Sequence, residues 1–211
     1  MVDLLKGIIP NVVNKPDELL ESINQTFYML SVSGSIAFVL GLILGVVLIV
    51  TRPNGILENK FVFSMLSYTI NTFRSIPFVI LLAALIPFSR MIVGTVPFFS
   101  RQIESALSSI DSGLVEAAQS MGSSPLGIIF RVYLKESIPH IVRVTQITAI
   151  SLIGLTAMAG AIGGGGLGDF AIRYGHQRGQ TDVTYVTVLV ILCIVAFIQS
   201  FGNLIIKKSS H

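Results

Sequence analysis

Apolar residues in this chain fall into long runs separated by short charged segments, and the charge-free windows predict membrane-spanning helices. Thirty uncharged residues lie between Glu21 and Arg52. Within them, Ile36 to Val50 carries 12 strongly apolar side chains, which favour insertion by roughly 4 to 7 kcal/mol. Arg143 and Asp169 bracket 25 uncharged residues, and Asp182 and Lys207 bracket 24. Each window suffices for a helix of about 20 residues to cross the hydrocarbon. Phe61 to Ser89 predicts a further span interrupted by Arg74, read as an anchor whose side chain snorkels to the cytoplasmic interface. Pro77 and Pro87 predict a kink or an end in that span. Gly41 and Gly45 form a GxxxG pair, read as a packing face.

The run Met91 to Ser100 does not fit this pattern. It has ten uncharged residues between Arg90 and Arg101, and a ten-residue helix rises about 15 Å, half the hydrocarbon thickness. The pattern therefore allows four spans, or five with one defective. Lys and Arg divide nine to five under either arrangement. Both place the polar loop 101–143 and the Lys207–Lys208 tail in the cytoplasm.

Composition narrows the function. Of 211 residues, 52% are hydrophobic and 12% charged, with a mean hydropathy of +0.80. Soluble domains carry about 25% charged residues, so a soluble enzyme and a disordered chain are both excluded. A net charge of +3 is too small to argue for nucleic acid. Cys193 stands alone and forms no internal disulfide. His140, His176 and His211 are too scattered to suggest a metal site. No acidic residue lies deep in a confident span, so a proton relay lacks its side chains. No clustered acid, base and nucleophile suggest an intramembrane hydrolase. Gly163, Gly165 and Gly168 form a GxGxxG, but no strand precedes it. The glycine run reads instead as a turn, a close helix contact or a hinge at the outer mouth. No GxxxxGK[ST] occurs, so the chain has no P-loop of its own for ATP.

The loop beginning at Ile110 carries the most local information. Asp111 or Ser112 predicts an N-cap. Gly122 predicts the helix end. Ser124 predicts a second cap with Pro125 at the first helical position. The result is two short helices with a sharp bend between them. The first presents Glu116 beside the small residues Ala117 and Ala118, which let another backbone approach closely. The second carries Ile128, Ile129, Val132 and Leu134, apolar enough to pack on the spans.

Glu116-Ala117-Ala118 followed by Gly122 resembles the EAA loop of ABC-importer permeases. Val50–Pro53, Asn71–Phe78 and Gly154–Gly168 resemble the methionine-importer permease subfamily, so the likeness covers about residues 22–206. It implies an all-α polytopic membrane protein with the type I importer permease fold and five transmembrane helices. It also implies an extracellular or interfacial segment 1–21, a transmembrane domain 22–206 and a cytoplasmic tail 207–211.

By the same resemblance, Glu116, Ala117, Ala118, Ser120, Met121, Gly122 and Ser123 couple the chain to a separate ATPase, which binds the ATP and Mg. Met158 and Gly160 line and gate the translocation pathway. The partners implied are a second copy of the chain, an ATPase dimer, an extracellular substrate-binding (lipo)protein and membrane lipid. The cargo implied is methionine, as D- or L-form or an analogue. A permease for another amino acid or osmolyte, and an ATPase-independent secondary transporter, are the alternatives.

Two departures stand out. Lys135 occupies the family's proline position, which puts the bend expected there in doubt. The third span is short by about 15 residues near Thr95–Val96. Either a segment of the native protein is missing there, which a chain break would support, or the helix is truly shortened.

Overall fold

A computed structural model describes residues 7–78, 80, 81 and 87–209, the side chains of 87–91 excepted. Its described elements are all helical: α1 (Pro10–Val13), α2 (Pro16–Thr51), α3 (Lys60–Ser75), α4 (Pro87–Ser108), α5 (Ser112–Ser120), α6 (Pro125–Ile128), α7 (Ile138–Ala161), α8 (Gly166–Phe170) and α9 (Thr181–Ser209). π-Helical turns, Ile129–Leu134 and Ala171–His176, extend α6 and α8.

The three confident windows become α2, α7 and α9, each long and apolar enough to cross a membrane. Pro16 opens α2, with Asp17 and Glu18 in its first turn. Proline is preset for that position, and carboxylates there offset the positive end of the helix dipole. The acidic stretch is thus the start of the first long helix, and residues 21 and 22 lie within it. On α9 the large residues Tyr185, Leu189, Phe197, Phe201 and Leu204 stand exposed, a face suited to lipid rather than water.

The span expected over Phe61–Ser89 is not one helix. α3 ends at Ser75, and Ile76 is extended (φ −76°, ψ 122°) ahead of Pro77, because the residue before a proline avoids the α region. Pro87 begins α4 instead of kinking or ending α3; residues 82–86 of this span lie outside the described residues. Arg74 falls in the last turn of α3. It lies fourteen positions after Lys60, about 21 Å along the helix.

Thr95 and Val96 are consecutive residues inside α4, with no break. The ten-residue run gains its length by recruiting flanking charged residues, giving a helix of 22 residues. Arg101 is accommodated within it by an ion pair to Glu104 and a 3.3 Å hydrogen bond to the Ser67 carbonyl oxygen. α2 packs along α4 through its GxxxG face, where Gly41 meets Phe99 and Gly45 meets Ile103. α7 packs against α2, α4, α8 and α9.

Candidate functional site

The loop between α4 and α7 forms a rigid bent knuckle. Asp111 caps α5, its Oδ1 accepting from the Gly113 amide at 2.8 Å. At the far end Gly122 adopts φ +75°, a left-handed conformation that glycine takes without a Cβ penalty. Its amide donates to the Gln119 carbonyl at 2.9 Å, and the Ser123 amide donates to the Ala118 carbonyl at 3.0 Å. These two bonds make a Schellman motif, which satisfies carbonyls the helix end would leave unpaired. Ser124 then caps α6, its Oγ accepting from the Gly127 amide at 3.2 Å, with Pro125 next.

One face of the knuckle is held down. Val115 and Ala118 are buried with Ile49, Ile103, Leu107 and Ile128, and Val132 and Leu134 pack against the same cluster. The other face is open: Glu116, Ala117, Ser120, Met121, Gly122 and Ser123 are all exposed. Ala118, grouped with these from the sequence, is 6% exposed and faces its own core. Periodicity overlooks Leu114, Leu126 and Phe130, which are exposed around the knuckle beside Met121 at 78% exposure. Their signal is their position off the inward-facing stripe. Lys135 is helical (φ −68°, ψ −49°) and makes no break. The π-turn before it, then Ser137 and Pro139 at the start of α7, redirect the chain.

Toward the other end of α7, Met158 is 49% exposed, and Ile147, Ser151 and Gly154 are exposed on the same stripe. Gly160 is buried and does not join them. A Cβ on Gly160 would strike the backbone of Gly168 and Asp169, so its role is to let α8 cross α7 at backbone contact. The glycine run between them is a structured turn. Gln25 Oε1 accepts from the Gly166 amide at 2.8 Å, and Thr26 Oγ1 accepts from the Leu167 amide at 2.9 Å. Side chains of α2 thereby cap the start of α8. No group of His, Cys, Asp and Glu able to hold a metal occurs among the described residues.

Residues 15–210 match the model of a family described as "Binding-protein-dependent transport system inner membrane component". This chain belongs to that family. A relative named as a probable D-methionine transport system permease protein MetI, from Vibrio cholerae, is 43% identical over 210 positions, covering 92% of this chain and 93% of its own. The methionine import system permease protein MetP of Bacillus subtilis is 43% identical over 173 positions, covering 75% and 78%.

An inward-facing structure of the MetNI methionine ABC transporter has a chain that superposes with a TM-score of 0.87 at 37% identity, covering 93% of this chain and 99% of that one. An amino acid ABC transporter structure with histidines gives 0.80 at 15% identity, a likeness of fold alone. This transport-system component is thus all-α, membrane-embedded and built on the importer permease fold. The Vibrio alignment spans 210 positions but takes up 92% of 211 residues, about 194, leaving about 16 positions that this chain does not fill. That shortfall is the size expected from the short apolar run of α4.

Proposed function

We propose that this chain is the permease subunit of an ATP-driven importer for methionine, in its D- or L-form, or a close analogue. Two copies pack around a shared two-fold axis, as most homo-oligomers do. Each offers its knuckle to one subunit of a separate ATPase dimer, which binds the ATP and Mg. The loop 101–143 and the C-terminus face the cytoplasm and the N-terminus faces outside, where a substrate-binding (lipo)protein delivers the cargo.

The observation that carries this reading is the knuckle itself. Its outward face is small, bent and exposed, while its inward face is fixed in the core. A handle of this kind transmits displacement without flexing. When ATP draws the ATPase subunits together, α5 and α6 move as a unit, and the spans rock between inward-open and outward-open states. The open stripe bearing Met158 lines the pathway. Gly160 serves that stripe by seating α8 against α7. The methionine relatives and the MetNI likeness support the choice of cargo.

The test is uptake of labelled methionine into proteoliposomes holding the permease and ATPase, with binding protein added outside. Uptake should require all three proteins and ATP. Gradient-driven uptake that persists without the ATPase would identify a secondary transporter instead.

A further inference from the structure

The end of α3, α4 and α7 enclose a cavity of about 400 Å³, within the range of small-molecule sites. Phe73, Phe78 and Phe98 give it apolar walls. Phe78 lies against Gly94, where a side chain would collide with its ring. Five polar residues interrupt this lining: Arg74, Ser75, Thr95, Thr148 and Ser151. Arg74 borders it from the last turn of α3. Thr95 borders it from α4, is 2% exposed, and has no hydrogen-bond partner for its Oγ1 among the described residues.

That hydroxyl is one of four buried side-chain polar atoms without a hydrogen-bond partner among the described residues, beside those of Ser67, Arg101 and Ser137. On α7, Thr145, Thr148 and Thr156 each donate to a carbonyl three or four residues earlier. Thr95 does not, and an unpaired buried hydroxyl costs free energy unless something meets it.

We propose that this cavity is a resting site for the cargo inside the permease, and that it takes a neutral α-amino acid with an unbranched apolar side chain. Arg74 pairs with the carboxylate, since guanidinium is shaped for two parallel hydrogen bonds to that group. Thr95 Oγ1 meets the polar head. The side chain lies among the phenylalanine rings, where a thioether gains favourable sulfur–aromatic contacts. A charged side chain would lose its hydration there without compensation. Ser151, on the α7 wall, precedes Met158 by seven residues on the same stripe, about 10 Å along the helix. The site rests on the importer reading and adds to it a place where cargo pauses.

The experiment uses the permease–ATPase complex, in nanodiscs for photolabelling with a diazirine analogue of methionine and in proteoliposomes for uptake. Photolabelling should fall on peptides containing Phe73–Phe78 or Thr95–Phe98, and excess methionine should suppress it. Thr95→Val, which keeps shape and removes the hydroxyl, should raise the KM for methionine uptake roughly fivefold to tenfold. Phe98→Trp adds bulk to the cavity wall and should reduce both labelling and uptake.

Labelling that methionine fails to suppress but added phospholipid displaces would assign the cavity to lipid and overturn the proposal. So would an unchanged KM in Thr95→Val. In either case wild-type uptake would still stand, whereas a wild-type complex that imports no methionine would sink the importer reading itself.

Discussion

Asn11 grips Asp182 across 171 residues of sequence: its amide and its side-chain Nδ2 each donate to one carboxylate oxygen at 2.9 Å. Lys15 adds a 2.7 Å bond to Gln180 and lies 5.0 Å from the Tyr174 ring centroid; Arg178 lies 4.7 Å from the same centroid. Val12 is buried with Phe170 and Val183 beneath them. Residues 9–15 are therefore a docked part of the fold.

Hydrogen bonds to a charged group contribute about 1.5–3 kcal/mol. Asn11→Ala should lower stability within that range, read as an earlier unfolding transition of the detergent-solubilised protein. Asp182→Leu, which removes both acceptors, should cost at least as much. Equal stability of Asn11→Ala and wild type would mean that the docked segment contributes nothing to folding.

Ala117 and Ala118 separate docking from folding. Ala117→Arg adds bulk and charge to an exposed position and should weaken ATPase association at least tenfold, about 1.4 kcal/mol, with no change in unfolding. Ala118→Arg places an unpaired charge in the core beside Ile103 and Ile128 and should prevent folding. Pull-down of the ATPase paired with thermal unfolding checks both.

Gly122 tests the bend. A Cβ there would meet nothing within 4 Å, so substitution brings backbone strain without a clash inside this chain. Gly122→Ala should cost about 1–2 kcal/mol. Gly122→Asn, which tolerates the left-handed region, should cost less. Gly122→Leu adds bulk at the exposed bend and should abolish ATP-driven uptake. Unchanged uptake in Gly122→Leu would remove the knuckle from the coupling role.

Gly160 and Met158 should behave oppositely. Gly160→Val overpacks the crossing with α8 and should cost about 1–3 kcal/mol or more. Met158→Ala, at an exposed position, should leave unfolding nearly unchanged while altering the rate of methionine uptake.

The knuckle was legible because its signals are local: Asp111, Gly122, Ser124 and Pro125 each act within four residues of themselves. Gly41 and Gly45 were legible because a four-residue spacing marks one helix face. What stayed hidden depends on residues distant in sequence. Nothing near Asn11 points to Asp182, and nothing near Gly166 points to Gln25. Alanine suits both surface and core, so Ala118 gave no sign of facing inward. Arg90 and Arg101 bound the apolar run of α4 but not the helix, which continues past both.

The cap on α8 limits how that end of the molecule can work. Gln25 and Thr26 hold the backbone of Gly166 and Leu167 from 141 positions away, so the glycine loop is no free shutter. Tilting α2 drags the loop along like a latch bolted to its lever. Any bending within the run of glycines is thereby confined to the residues ahead of Gly166.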